Sequence, residues 1–74
     1  MNVLDVGCGT GSISKDIANI VGENGKVTGI DNAEMFIISG QNTYQTVANL
    51  ELIHVDLFDY NPAEKYDLIV FARV

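Results

Sequence analysis

Val3-Leu4-Asp5-Val6-Gly7-Cys8-Gly9-Thr10-Gly11 is the stretch on which the reading of this chain turns. A short, mainly apolar run leads into three glycines spaced two apart. That pattern predicts a buried strand that turns sharply at its carboxyl end. Glycine admits positive φ and carries no Cβ, so the backbone there can approach a ligand closely. A glycine loop between strand and helix also aims backbone N–H groups at whatever binds. The helix is expected at once. Ser12 stands where a cap belongs, and Ile13, Ile17, Ile20 and Val21 recur at the spacing of one helical face.

Outward from this stretch the alternation continues. Gly22-Glu23-Asn24-Gly25 carries turn chemistry and ends the helix. Residues 27–30 read as a second strand, ending at Asp31. Residues 33–48 read as a second helix with a weaker stripe, diluted by Gly40, Asn42 and Thr43. Residues 50–55 read as a third strand, and 59–64, with Pro62, as a loop. Asp67-Leu68-Ile69-Val70-Phe71 is nearly continuous in apolar residues, the habit of a parallel strand buried on both faces. The order β-α-β-α-β-loop-β predicts an α/β fold with a doubly wound parallel sheet. Ligands of such sheets lie outside the carboxyl ends of the strands, at the point where strand order reverses. The glycine loop, Asp31, Asp56 and, slightly further on, Asp59 all fall at such ends.

Composition narrows the partners. The chain has 74 residues, 47% of them hydrophobic, which is globular rather than disordered. A single cysteine excludes an intrachain disulfide. No apolar run nears the roughly 18–20 residues that span a bilayer, and the first residues carry no basic, signal-like segment. These features point to the cytoplasm. Ten acidic residues against four basic ones give a net charge of −6. The scattered Lys15, Lys26, Lys65 and Arg73 offer no footprint for nucleic acid or an anionic membrane. A chain of this length buries only about 60% of its unfolded surface, so it reads as part of a larger domain.

The acids shape the ligand. In the dinucleotide fingerprint G-x-G-x-x-G the third glycine would fall at position 12, which is Ser12. Asp5 would also repel a pyrophosphate, by roughly 3–4 kcal/mol per charge pair at 4–6 Å and an effective dielectric near 20. An NAD-dependent oxidoreductase is therefore disfavoured, and a cationic or amino-bearing ligand suits the loop better. Asp31, acceptor-only when ionised, can take both hydroxyls of a ribose. Asp56 can accept from an exocyclic amine of a base, whereas Asp59 reads as a turn residue. Cys8 is a small residue within the loop, with no base placed to activate it. His54 reads as a strand residue with a satisfied imidazole, and Tyr44, Tyr60 and Tyr66 as packing residues. One histidine and one cysteine do not make a zinc site.

Together these runs resemble the class I S-adenosylmethionine-dependent methyltransferases. VLDVGCGTGSIS resembles their first motif, KVTGIDNAEMFI the second, LELIHVDLFDY the third and YDLIVFARV the fourth strand. The resemblance implies a Rossmann-like sheet, here partial, with strands 1–4 in the order 3-2-1-4 and residues 1–74 as the cofactor-binding half of the domain. It implies that Asp5, Gly7, Cys8, Gly9 and Gly11 serve the methionine portion of S-adenosylmethionine. It places Asp31 on the ribose, Asn32 along the adenosine, and Asp56 and Leu57 at the adenine. Phe71 and Ala72 would approach the transferred methyl. The acceptor implied is a small molecule, with no catalytic residue identifiable. Two departures stand out: Ala33 replaces a frequent serine, and Met35 lies one position early. The resemblance leaves strand 4 as an edge that needs covering by further sequence or a partner. The alternative is a non-catalytic nucleoside-binding fragment or subunit.

Overall fold

The computed structural model describes residues 1–72. Strand β1 (Asn2–Val6) leads through the glycine loop into helix α1 (Ser12–Val21). Strand β2 (Lys26–Asp31), helix α2 (Glu34–Thr43) and strand β3 (Leu50–His54) follow, and strand β4 (Leu68–Phe71) comes last. All pairings are parallel and the sheet order is β3-β2-β1-β4. This is the expected doubly wound α/β arrangement. The last two residues of the run read as the fourth strand lie outside the described residues.

Alternation along each strand sends side chains to opposite faces. On one face Val3 and Val27 meet Ala18 of α1, while Cys8 and Leu52 meet Ile37 of α2. On the other, Leu4, Val6 and Ile30 are covered by Ile53, Val55, Tyr60 and Tyr66. The two helical crossovers carry the chain towards β3. Reaching β4, beyond β1, reverses the direction, and right-handed connection then demands the opposite face. Residues 55–67 make that crossing, opening with a 3-10 turn at Leu57–Asp59. The Tyr60 and Tyr66 hydroxyls meet at 2.6 Å above the sheet. Burial and this bond push the Tyr60 hydroxyl well above its ordinary pKa. Both tyrosines thus pack, as expected. The start of β4 is fastened to β1 twice: the Asp67 N–H donates to the Asn2 carbonyl at 2.8 Å, and the Asn2 N–H to Asp67 Oδ2 at 2.6 Å.

Several local expectations are corrected. Gly11, not Ser12, occupies the N-cap of α1, in the left-handed region at φ 87°, and no side chain caps the helix. The buried stripe of α1 is centred on Ser14 and Ala18, flanked by half-buried Ile17 and Val21; Ile13 and Ile20 point outward, Ile20 being 83% exposed. Small residues let the helix lie close to the sheet, and that closeness overrides the stripe that hydrophobicity picks. Helix α2 ends at Thr43 rather than running to residue 48, its last bond running from Tyr44 N–H to the Gly40 carbonyl. Gly40 sits there because a Cβ would lie 2.2 Å from the Thr10 carbonyl oxygen. β3 stops at His54 and β4 begins at Leu68, each one residue short of the expectation. β4 is also not buried on both faces: Leu68, Ile69 and Phe71 are about half exposed, and β1 is its one partner among the described residues.

Candidate functional site

The carboxyl ends of β1, β2 and β3 enclose a cleft of about 320 Å³, lined by Val6, Gly7, Ile30, Asp31, Asn32, Val55, Asp56, Leu57 and Phe58. That volume is at the small end of ligand pockets. It lies beside β1, where the strand order reverses, the place the topology reserves for ligands. The sheet delivers each acid by register. Asp31 is the last residue of β2, paired with His54 of β3, and Asp56 follows β3 by two residues.

The glycine loop is fixed by bonds that point inward. Gly7 and Cys8 both donate N–H to the Ile30 carbonyl, at 2.9 and 3.0 Å, and Gly11 donates to the Cys8 carbonyl at 3.0 Å. Gly9 donates to Asp31 Oδ2 at 2.8 Å. Gly7, Gly9 and Gly11 all take positive φ, which glycine adopts without the Cβ clash that most residues would meet. The expectation that this loop aims its N–H groups at a ligand is therefore corrected for these four residues. With those donors consumed, the loop offers close backbone approach instead of an anion nest, which argues further against a pyrophosphate.

Asp31 joins three elements. Its Oδ2 holds the glycine loop and its Oδ1 accepts from Ala33 N–H at 2.8 Å, at the entry to α2. Each oxygen of a carboxylate has two acceptor sites, so one per oxygen is left for a ligand's hydroxyls. Asp56 Oδ1 accepts from Phe58 N–H at 2.9 Å, which makes the 3-10 turn and leaves Oδ2 available. The turn-forming and ligand-facing roles of Asp56 thus coexist. Asp59 is an exposed turn residue, as expected, its N–H donating to the Asp56 carbonyl. His54 is exposed, with Nε2 3.2 Å from the Asn32 carbonyl and Nδ1 3.7 Å from Glu34.

Of the residues singled out by sequence, the cleft gathers Gly7, Asp31, Asn32, Asp56 and Leu57. Asp5, Cys8, Gly9 and Gly11 are buried behind it. Asp5 is fully buried; Oδ2 accepts the Ser14 hydroxyl at 2.6 Å and Oδ1 has no partner. Burial pushes its carboxyl above the usual range, and the Ser14 bond opposes that. Burial, then the charges of Asp5 and Asp31, push the Cys8 thiol up to about 12. Sequence reasoning missed Val6, Ile30, Val55 and Phe58 as walls. The first three are the apolar residues just before the predicted loop and acids, so strand position could have found them. Phe58 is 95% exposed and nothing in its spacing distinguishes it. No cluster of three or more His, Cys, Asp or Glu able to hold a metal occurs among the described residues. No helix there is long and apolar enough to cross a membrane.

The sequence profile of a family described as "Methyltransferase domain" matches residues 1–74. The chain belongs to this family. It is 36% identical over 72 residues to a probable cobalt-precorrin-6B C(15)-methyltransferase (decarboxylating) of Thermoplasma acidophilum, covering 93% of this chain and 36% of that protein. Among solved structures it is similar to a SAM-dependent methyltransferase from Aquifex aeolicus, with a TM-score of 0.86 and 30% identity over 96% of this chain and 39% of the other. It is also similar to coclaurine N-methyltransferase bound to N-methylheliamine and SAH, with a TM-score of 0.79 and 28% identity over 95% of this chain and 21% of the other. The chain spans about a third of the length of the Thermoplasma relative.

Proposed function

We propose that residues 1–74 form the cofactor-holding part of a larger S-adenosylmethionine-dependent methyltransferase domain. The observation that carries this reading is the cleft at the strand ends, with Asp31 clamped between loop and helix and Asp56 across from it. The donor set fits a nucleoside. Asp31 accepts the ribose hydroxyls on its remaining acceptor sites, and Asp56 Oδ2 accepts the adenine amine. Asn32 and Leu57 line the adenosine. The glycine loop of Gly7, Cys8, Gly9 and Gly11, with Asp5 behind it, serves the amino-acid end. The net charge of −6 favours a ligand that carries both a sulfonium and an ammonium. Phe71 and Ala72, at the end of β4, approach the methyl.

S-Adenosylmethionine supplies a methyl group on a sulfonium that needs no acid to leave. The chain's contribution is then orientation and exclusion of water rather than proton transfer. The acceptor is a small molecule, the protein works in the cytoplasm, and the open flank of β4 is covered in the whole protein by further sequence or a partner. Calorimetric titration with S-adenosylhomocysteine and with NAD tests the reading. We expect binding of the first and none of the second; the reverse sinks the assignment. Asp31→Ala is expected to weaken binding by about 1–3 kcal/mol, the cost of leaving hydroxyls unpaired. Asp31→Asn, which preserves shape and one acceptor oxygen, separates that loss from loosening of the loop. Unchanged affinity in both variants refutes the ribose role.

A further inference from the structure

We propose that Ser14 is a positioning residue for this site: its hydroxyl fixes the orientation of the buried Asp5 carboxylate behind the glycine loop. Asp5 thereby supplies the glycine loop with negative charge for a ligand's ammonium end. The inference rests on the proposed reading of the site and names a residue that makes no contact with the cleft.

The chamber around Asp5 is built for one contact. In the sheet Asp5 is flanked by Gly29 on β2 and Val70 on β4, so neither neighbour brings a polar side chain. Gly29 is required there, because a Cβ would lie 2.9 Å from both Cys8 Sγ and Ser14 Oγ. Helix α1 contributes Ser14, which is fully buried. The loop contributes Cys8, whose thiol stays protonated beside Asp5 and Asp31. No Lys or His among the described residues pairs with Asp5. A carboxylate with one hydrogen bond and an orphaned Oδ1, shielded from water, is costly to keep. The Ser14 bond at 2.6 Å lies in the short range of a hydroxyl on a carboxylate. It stops the carboxyl group from rotating and opposes the effect of burial on its charge. The charge so held stands two residues before Gly7, where the loop meets the cleft. Low dielectric strengthens its pull on a cation there.

The test uses the purified protein and two ligands. S-Adenosylhomocysteine carries the amino-acid end; 5′-methylthioadenosine has the same nucleoside and sulfur without it. The Asp5 carboxyl is titrated by carbon NMR, and affinities are measured by calorimetry from pH 5 to pH 9. In Ser14→Ala the Asp5 midpoint should rise, since a bond that lowers it is gone. Affinity for S-adenosylhomocysteine should fall about tenfold at pH 7, and its decline on acidification should begin at a higher pH. Affinity for methylthioadenosine should change less than twofold. In an Asp5→Asn background Ser14→Ala should change neither. Should Ser14→Ala fail to fold, Ser14→Cys, kept reduced because Cys8 is a neighbour, replaces the hydroxyl with a larger, much weaker donor and is read the same way. An unchanged Asp5 midpoint overturns the proposal, as does equal loss for both ligands without a shift in the pH profile. Failure of the wild type to bind either ligand overturns the functional reading instead, while the Asp5 midpoint still tests the Ser14 contact.

Discussion

Cys8 shows how little a reactive residue type means without its surroundings. It sits in the loop beside the cleft, yet it is buried against Ile37 and Leu52 and flanked by two carboxylates. With its thiol pushed up to about 12, it is held in the protonated, unreactive form at pH 8. Alkylation by iodoacetamide at pH 8, followed by mass spectrometry, should therefore leave Cys8 unmodified in the folded protein and modify it quickly in urea. Rapid labelling of the folded chain would contradict the burial described. The three glycines around it act by conformation, and Gly40 acts by absence: its missing Cβ lets α2 touch the turn at Thr10.

At the scale of elements, the carboxyl end of α1 is secured from outside the helix. No side chain caps its start. At its end, Asn49, just before β3, donates from Nδ2 to the carbonyls of Ala18 and Gly22 at 2.9 and 2.8 Å. Each of these carbonyls also accepts a backbone N–H, from Gly22 and Gly25 at 3.1 and 3.0 Å, so Asn49 fills a second acceptor site on each. Asn49→Ala is expected to cost about 1–3 kcal/mol, because two hydrogen bonds at a half-buried helix end are lost. Ile20→Ser, on the same helix, should stay within about 0.5 kcal/mol, since Ile20 is 83% exposed. Urea denaturation of both variants checks the pair. Equal losses would mean that the outer face of α1 is covered in solution.

At the scale of the whole molecule, charge and topology work together. Parallel strands place every carboxyl end on one side, so Asp31 and Asp56 reach the cleft without any local motif joining them. The net charge of −6 adds a diffuse field of the same sign. Affinity for S-adenosylmethionine should therefore weaken as salt rises from 50 to 500 mM, because exposed charges are screened beyond about 10 Å at 0.1 M. The part due to buried Asp5 should persist. Calorimetry at a series of salt concentrations checks this, and an affinity indifferent to salt would remove the field from the account.

Local pattern was enough to determine the order of elements and the parallel sheet, whereas the strand order came from the family resemblance. Strand, glycine loop, helix and strand-end acid each have a signature within a dozen residues, and helical crossovers between short apolar strands make the sheet parallel. Asp31 and Asp56 were legible because strand ends of a parallel sheet converge; Asn32 and Leu57 were named through the family resemblance. Tertiary structure alone decided where side chains face. It turned α1 so that Ser14 and Ala18 meet the sheet, placed Asp5 and Cys8 behind the cleft, and spent the loop's N–H groups on Ile30 and Asp31. It also joined Asn49 to a helix end 27 residues earlier in the chain. Pattern counts hydrophobicity along one element at a time. Contact distance and hydrogen-bond satisfaction are settled between elements, where small residues, missing Cβ atoms and free acceptor sites determine which groups meet.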